Sequence, residues 1–389
     1  MKSAFLSAAV ALTVAALNLG VPASAQETVR AVVDAAVKPV MAEEDVPGMS
    51  VAVLVDGERY IYHYGVASRE TGAAVDGDTI FEIGSLSKLF TGTLAGRLQA
   101  EGRLNLSARA ESVMSDLQGS PIGSATLLEL ATYNAGGLPL QFPDGVDETN
   151  FVTWYRSFDP ITPIGESRLY SNPSIGLFGH LAAQSAGSSF SALLKEKVLE
   201  PLELKNTFLT VPEERLGNYA QGYNRDGKPV RVNPGLFDDE AYGVKTTAED
   251  FLRFVAAFMK RTNETGPLAE GLVTARFGYY RVGAMHQGLG WELYPAPARL
   301  DDLLQGADPA FVLEPNAVEI VDAPVIDGAL VGTASKTGST GGFGAYALLS
   351  PERGTAIVML ANRFWQNSKR IETAYQILSK LDPKFAANR

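Results

Sequence analysis

A serine hydroxyl and a lysine amine stand three residues apart, as Ser85 and Lys88, at the start of a stretch whose apolar residues have helical periodicity. At that spacing both side chains leave the same face of a helix, one turn apart. A serine hydroxyl is a weak nucleophile and needs a group that accepts its proton, and a lysine kept neutral by burial can do so. Backbone N–H groups at a helix N-terminus also favour an oxyanion. The pair predicts nucleophilic attack on a carbonyl.

Two further motifs supply groups that such a reaction needs. A Tyr-Ser-Asn tripeptide opens a later predicted helix, with a phenol on Tyr170 that can relay a proton and an amide on Asn172 that can bind a carbonyl. Lys336, Thr337 and Gly338 stand just before a predicted strand. There a lysine can hold an anion, a threonine can donate to it and a glycine lets a ligand approach the backbone. Each motif alone is short enough to occur by chance, and all three in this order favour one shared site.

Strands are expected at both ends of the chain and helices between them. The predicted strands lie at 49–55, 60–66, 342–349 and 355–360. The predicted helices lie at 29–41, 85–101, 125–133, 174–185, 189–199 and 369–381. This order predicts an α+β fold in which one antiparallel sheet is flanked by helices, an α/β/α sandwich.

An all-helical subdomain is expected as an insertion, with a cleft between it and the sheet. Its predicted range is about 102–170, which leaves the sheet subdomain as about 26–101 and 171–389. Residues 222–235 are predicted to form a long surface loop, and residues 294–332 are predicted to be loop-like and to flank the site.

The first 25 residues have the pattern of a secretory signal peptide. Lys2 precedes an apolar run over 4–19, and Ala-Ser-Ala at 23–25 forms a small-residue exit before Gln26. The apolar run is short for a membrane-spanning helix. We expect cleavage before Gln26, no membrane contact afterwards, and a catalytic domain over 26–389 in the periplasm of a Gram-negative bacterium.

Composition excludes several classes of function. The chain has no cysteine, so thiol catalysis, disulfides and thiolate metal sites are impossible. His63, His180 and His286 form no metal-binding pattern, and Gly-x-Ser-x-Gly is absent, which disfavours zinc hydrolases and Ser-His-Asp hydrolases. A formal net charge of −11 disfavours nucleic acid and anionic membranes as partners. We expect no metal, no cofactor and a monomer.

Several longer stretches resemble the class C (AmpC-type) serine β-lactamases, and the resemblance runs over nearly the whole chain after residue 25. They are FEIGS at 81–85, ATY at 131–133, AGGLPLQ at 135–141, EAYGVK at 240–245, QGLGWE at 287–292, KTGSTGGFGAY at 336–346 and VMLAN at 358–362. The resemblance implies the fold shared by serine β-lactamases and DD-peptidases. It also implies a cephalosporinase-type enzyme that hydrolyses β-lactam antibiotics through an acyl-enzyme and so confers resistance.

The resemblance implies a role for each catalytic residue. Ser85 attacks the β-lactam carbonyl, while Lys88 and Tyr170 manage its proton. The oxyanion lies between the backbone N–H groups of Ser85 and Ser339. Tyr170 also serves hydrolysis of the acyl-enzyme, helped by Lys88 or by the substrate amine, and whether its phenol is ionised stays open.

The resemblance also implies the substrate contacts. Asn172 and Gln141 hold the acylamido side chain of the drug, and Tyr242 forms an aromatic wall. The substrate carboxylate faces Lys336, Thr337, Asn367 and Arg370, beside Gly338. On the residues alone, an alternative stays open in which Gln141 is a hydrogen-bonding loop residue, Tyr242 a core aromatic, and the pair at 367 and 370 a helix cap and a surface charge.

Two other classes of function stay open. A DD-peptidase or an esterase of the same fold shares Ser-x-x-Lys and the tyrosine, although such esterases often lack the intact Lys-Thr-Gly triplet found here. A periplasmic binding or sensor protein would acylate on Ser85 without turnover, and we would then expect Tyr170 or the carboxylate site to be lost. Ser335 and Phe364 stand at positions that vary among relatives and affect substrate range, so the choice among cephalosporins, penicillins and carbapenems stays open.

Overall fold

The structure, a computed structural model, describes residues 23–259, 265–325 and 332–386. Residues 1–22, most of the predicted signal peptide, lie outside the described residues. The first helix begins at Ala23, and cleavage before Gln26 stays a prediction. None of the helices in these ranges has the length and apolarity that crossing a membrane requires.

The secondary structure alternates short elements with a few long ones. The strands are β1 (Gly48–Val55), β2 (Glu58–Gly65), β3 (Phe81–Glu82), β4 (Ser167–Arg168), β5 (Gly222–Tyr223), β6 (Pro229–Val230), β7 (Lys245–Thr246), β8 (Gly278–Val282), β9 (Met285–Gln287), β10 (Glu292–Tyr294), β11 (Asn316–Ala317), β12 (Glu319–Val325), β13 (Thr333–Ser339), β14 (Gly344–Ser350) and β15 (Thr355–Ala361). The helices are α1 (Ala23–Glu43), α2 (Ser87–Ala100), α3 (Ala110–Val113), α4 (Pro121–Ser124), α5 (Leu127–Ala131), α6 (Phe151–Ser157), α7 (Asn172–Ser185), α8 (Phe190–Leu194), α9 (Asp238–Ala241), α10 (Ala248–Ala257), α11 (Pro267–Ala275), α12 (Leu300–Gly306), α13 (Pro309–Leu313) and α14 (Asn367–Leu381). Short 3₁₀ or π turns lie at Gly84–Leu86, Ser115–Leu117, Lys195–Leu199 and Glu213–Asn218.

Nine of these strands form one antiparallel sheet in the order β12-β8-β9-β10-β13-β14-β15-β1-β2. The N-terminal hairpin of β1 and β2 joins the sheet through β15, where Met49 lies opposite Ala361. The sheet confirms the prediction that strands from the two ends of the chain pair with one another.

Helices cover both faces of the sheet. Along β1, Val51 and Val53 face a core shared with α1 and α14, whereas Ala52 faces a larger core that includes α2, α10 and α11. The two cores alternate along the strand because successive side chains point to opposite faces. The strands β14 and β15 are buried at every position, as expected for strands covered on both sides. The predicted α/β/α sandwich is confirmed.

Local structure differs from the prediction at two of the three chemical motifs. Ser85 lies in the 3₁₀ turn Gly84–Leu86, and α2 begins only at Ser87. The Lys-Thr-Gly triplet precedes the strand β14, as predicted, but it also lies inside a strand of its own, β13, which the sequence did not predict. The sequence of β13, TASKTGS, contains two threonines but no other β-branched residue and no aromatic residue, and its alanine, lysine and glycine are depleted in strands. Pairing with β10 on one side and β14 on the other holds it in the sheet.

The prediction of a loop over 294–332 is wrong. Two short helices, α12 and α13, and two strands, β11 and β12, lie between residues 300 and 325, while residues 326–331 lie outside the described residues. The helices and β11 are too short for a periodic apolar pattern to indicate them, and the proline within β12, EIVDAPV, disfavours a strand prediction there. Residues 222–235 contain the small ladder of β5 and β6. Residues 102–170 hold α3 to α6 and β4, and their division into a separate subdomain stays a prediction.

Candidate active site

Close backbone contact fixes the turn that carries Ser85 against strand β13. Gly84 has a φ of +51°, and a Cβ atom there would lie 2.3 Å from the carbonyl oxygen of Ser339. A Cβ on Gly338 would lie 2.0 Å from the carbonyl oxygen of Ile83. Only glycine permits such an approach at either position. The turn and the strand therefore meet backbone to backbone, with Ser85 and Ser339 on adjoining segments.

Lys88 lies beneath Ser85 and is fully buried. Its Nζ donates to the Ser85 Oγ at 3.1 Å, to the Asn172 Oδ1 at 2.7 Å and to the Ala241 carbonyl oxygen at 2.6 Å. These acceptors use all three protons of an ammonium group. Burial lowers the pKa of Lys88 to about 8, and the second cation at Lys336 also lowers it. A neutral amine that accepts the Ser85 proton is therefore accessible near neutral pH.

The pKa of Lys88 predicts a pH dependence of stability. Its ordinary pKa of 10.5 falls to about 8 in the fold, so the unfolded state binds more protons between these values, and stability rises with pH across that window. The measured quantity is the rise in the free energy of unfolding between about pH 7.5 and about pH 9.5. We expect this rise to be about 2 kcal/mol larger in the wild type than in Lys88→Met. Equal rises in denaturant titrations of the two proteins would contradict the lowered pKa.

Two ammonium groups lie close to the ring of Tyr170. The Nζ atoms of Lys88 and Lys336 lie 5.2 and 4.8 Å from its centroid. The hydroxyl is buried and makes no hydrogen bond of standard geometry with the residues that the structure describes. Burial raises the pKa of the phenol, but Lys336 and Lys88, with the nearby Ser85 hydroxyl, outweigh burial and leave the pKa below its ordinary value. The phenolate is therefore easier to form here than in water.

Helix α7 begins next to Tyr170 and fixes the direction of the neighbouring side chains. Ser171 caps the helix, since its Oγ accepts a hydrogen bond from the Ser174 N–H. Asn172, the first residue of α7, donates from Nδ2 to the Gln141 Oε1 at 3.0 Å. The two amides that were predicted to hold the substrate side chain are therefore linked to each other and, through Lys88, to the nucleophile.

Lys336 pairs with a carboxylate that the sequence analysis did not single out. Its Nζ donates to the Glu292 Oε1 at 2.9 Å, and both side chains are buried. Burial alone would lower the pKa of Lys336, but Glu292 and Tyr170 raise it above its ordinary value. An Arg168 Nη2 lies 3.8 Å from the same Glu292 oxygen. Lys336 therefore stays a cation beside the phenol.

Arg370 does not lie where the resemblance suggested. Its side chain is fully buried behind β13 and donates to the Gly338 carbonyl oxygen at 2.7 Å and to the Ser339 Oγ at 2.9 Å. Burial lowers its pKa to about 9. Asn367, one helical turn earlier on α14, does face the cavity. Arg370 therefore reaches the expected carboxylate site only through the residues of β13 in front of it.

The functional side chains surround one cavity of about 510 Å³. Ten of the twelve residues predicted from the sequence line it: Ser85, Gln141, Tyr170, Asn172, Tyr242, Lys336, Thr337, Gly338, Ser339 and Asn367. The other two lie behind the wall, Lys88 under the nucleophile and Arg370 under the strand. Val232 and Val312 also line the cavity and supply apolar surface. Within the described ranges, no three His, Asp or Glu side chains are grouped as metal ligands would be.

A family profile and several known proteins match this chain over most of its length. A family profile described as "Beta-lactamase" matches residues 33–382. The β-lactamase of Pseudomonas fluorescens is 45% identical over 355 residues, covering 91% of this chain and 99% of the relative. That of Escherichia coli K12 is 39% identical over 360 residues, covering 92% and 95%.

Solved structures give the same result. One described as a class C β-lactamase superposes with a TM-score of 0.87 at 36% identity, covering 91% of this chain and 98% of its own. Another, described as a β-lactamase/D-alanine carboxypeptidase from Pseudomonas syringae, superposes with a TM-score of 0.87 at 38% identity, covering 90% and 99%.

Proposed function

This chain belongs to the beta-lactamase family and is a serine β-lactamase of the class C type, and we propose on that premise that Ser85 opens the β-lactam amide through a covalent ester. The supporting observation is the convergence on one cavity of a hydroxyl from a turn, a phenol before a helix and an ammonium from a strand, with a buried amine behind them. Each group comes from a different part of the chain. Their juxtaposition is what acyl transfer needs.

Acylation uses the two basic groups around Ser85. The Ser85 Oγ forms a bond to the carbonyl carbon while its proton passes to Lys88 or Tyr170. The negative charge on the carbonyl oxygen is held by the backbone N–H groups of Ser85 and Ser339, and losing one such donor costs about 3 kcal/mol of barrier. The carbon–nitrogen bond of the ring then breaks, and the nitrogen takes the proton.

Deacylation requires an activated water. The water attacks the ester carbonyl while its proton passes to the Tyr170 oxygen, and the Ser85 oxygen leaves and regains a proton. The cations Lys336 and Lys88 favour the ionised phenol for this step. The lowered pKa of Tyr170 supports its use as the base without a loop glutamate.

Different residues that line the cavity contact different parts of the substrate. Asn172 and Gln141 present linked amides to the acylamido side chain, and Tyr242 flanks it. Lys336, Thr337 and Asn367 line the cavity and face the substrate carboxylate, with Lys336 supplying the positive charge. Arg370 acts indirectly, by holding the strand that carries Gly338 and Ser339.

Finer properties belong to the same proposal. We assign a preference for cephalosporins, a role in antibiotic resistance, and a monomeric periplasmic enzyme exported by the signal pattern of residues 1–25. No metal or cofactor takes part in the steps above. The partners are β-lactam small molecules.

Steady-state turnover tests the function. We expect the purified protein to hydrolyse a chromogenic cephalosporin over many cycles, faster than a penicillin or a p-nitrophenyl ester. A single stoichiometric burst without turnover would favour the sensor or transpeptidase alternatives. Faster release of D-alanine from a peptide ending in D-alanyl-D-alanine would favour a carboxypeptidase, the activity named for the Pseudomonas syringae relative. Activity lost to a chelator and restored by zinc would contradict the metal-free mechanism.

A further inference from the structure

Glu82 is a buried carboxylate, three residues before the nucleophile, that the mechanism does not use. Only 1% of its surface is exposed. Its Oε1 accepts hydrogen bonds from the Tyr219 hydroxyl at 2.5 Å and the Val232 N–H at 2.9 Å, and its Oε2 accepts one from the Thr340 hydroxyl at 2.5 Å. Short bonds to a carboxylate are roughly twice as strong as bonds between neutral groups. A buried acid with three donors of this kind joins segments of the chain that are far apart in sequence.

Two of those donors belong to walls of the active site. Val232 and Thr340 both line the cavity, whereas Tyr219 does not. Val232 opens the segment that ends at Tyr242, the aromatic wall. Thr340 directly follows Ser339, whose N–H is the proposed oxyanion donor. The carboxylate thus connects the strand before Ser85 to both flanking segments.

Backbone hydrogen bonds and the Glu82 carboxylate together hold the turn after Ser339. Residues 341 and 342 are both glycine, and two backbone bonds of 3.1 Å run from the Thr340 N–H to the Phe343 carbonyl oxygen and from the Tyr223 N–H to the Gly342 carbonyl oxygen. Glycine gives the backbone wide conformational freedom. The close approach of Gly84 limits how near Ser339 can come to the nucleophile. Pairing with Gly344 and the Arg370 hydrogen bond to the Ser339 Oγ hold Ser339 from the β14 side and from behind the strand. The Thr340 bond to Glu82 adds a restraint toward β3, the strand that leads into the nucleophile turn.

We propose that Glu82 is a positioning residue, which through the Thr340 hydroxyl holds the Ser339 N–H at its working distance from Ser85. The inference rests on the proposed function, since it assigns a role within the acylation step. A misplacement of about 1 Å in a reacting group can lower the rate by about 100-fold. Loss of the Thr340 bond releases Ser339 only partly, so the expected loss of rate is smaller. The loss appears in kcat, because the oxyanion donor acts in the transition state and contributes little to substrate binding.

Two variants that each remove one hydrogen bond from the same carboxylate test the role. Thr340→Val deletes the hydroxyl on the cavity side at nearly constant volume, and Tyr219→Phe deletes the bond of equal length on the side away from the cavity. We expect Thr340→Val to lower the rate of Ser85 acylation by about 10-fold with little change in KM, and Tyr219→Phe to stay within about 2-fold. Thr340→Ser, which keeps the donor, restores the rate.

The outcomes separate this role from a structural one. Equal losses in Thr340→Val and Tyr219→Phe, together with matching losses in thermal midpoint, would show that Glu82 only stabilises the fold. Full activity in Thr340→Val, or no recovery in Thr340→Ser, would also overturn the role. Acylation is followed by the mass of the penicillin adduct in the same series. A wild type that forms no adduct would refute the proposed function itself, whereas a normal wild type with an unaffected Thr340→Val refutes only the positioning role.

Discussion

Ser85→Ala forms no covalent adduct with a penicillin and hydrolyses a cephalosporin slower than the wild type by on the order of 10⁵-fold or more. The loss is large because every step of the proposed mechanism passes through the ester on this oxygen. Only the residual binding and oxyanion stabilisation remain in the variant. Intact-protein mass spectrometry after exposure to the drug, together with stopped-flow turnover, measures both effects.

The fold tolerates this substitution. The hydrogen bond recorded for the Ser85 hydroxyl comes from the Lys88 Nζ, which keeps two other acceptors. We expect the free energy of unfolding to change by about 1 kcal/mol at most.

Ser87→Ala is the matched control. The Ser87 hydroxyl donates to the Gly84 carbonyl oxygen and accepts from the Val244 N–H, so the variant loses stability and keeps the adduct. An adduct that survives in Ser85→Ala, or that disappears in Ser87→Ala while the protein stays folded, would place the nucleophile elsewhere.

The sequence predicts which residues meet at the site better than it predicts how deep each one lies. Asn367 and Arg370 stand three residues apart on α14, a spacing that places both on one helix face. The resemblance to class C β-lactamases implied that both face the substrate carboxylate. The packing of α14 against the sheet leaves Asn367 at the cavity and puts Arg370 underneath β13. The sequence shows that Arg370 is charged, but only tertiary packing decides whether its side chain faces solvent or lies beneath a strand.

The pairing of Lys336 with Glu292 shows a second limit. The two residues are 44 positions apart and come together because β10 and β13 are neighbours in the sheet. The alternation of apolar Trp291 and Leu293 with polar Glu292 would place the Glu292 side chain on a solvent-exposed face, whereas all three side chains are buried. The signal that could have been read is an acid between two large apolar residues, which is costly to bury without a partner. The partner itself could not be identified without knowing which residues of β10 and β13 lie opposite one another.

That pair determines the environment of Tyr170, where the second large effect is expected. We predict that Tyr170→Phe lowers the acylation rate by about 10²-fold to 10⁴-fold, the range of a lost general base. The substitution removes a single oxygen. Because that hydroxyl is buried without a standard hydrogen bond, its loss leaves the free energy of unfolding unchanged or slightly higher. The rate of adduct formation and a denaturant titration measure the two quantities.

The adjoining tyrosine offers a close control. The ring of Tyr133 lies 4.7 Å from that of Tyr170, and its hydroxyl is likewise buried and without a standard hydrogen bond. It does not line the cavity, and burial raises its pKa. Tyr133→Phe should therefore keep the acylation rate within about 3-fold, because a phenol that resists ionisation cannot act as a base. Equal losses in the two variants would indicate that ring packing matters and that the phenol chemistry does not.

The pH profile of the acylation that remains in Tyr170→Phe shows whether Lys88 acts as the base in that variant. In the wild type, Tyr170 raises the pKa of Lys88, opposing the burial and the Lys336 charge that lower it to about 8. Without the phenol this opposing influence is gone, so the pKa of Lys88 should fall further below 8. If Lys88 then acts alone, the slow acylation of Tyr170→Phe should rise with pH and level off at a lower pH than acylation by the wild type, since the amine is neutral over a wider range. A residual rate that levels off at a higher pH would mean that neutral Lys88 is not the remaining base.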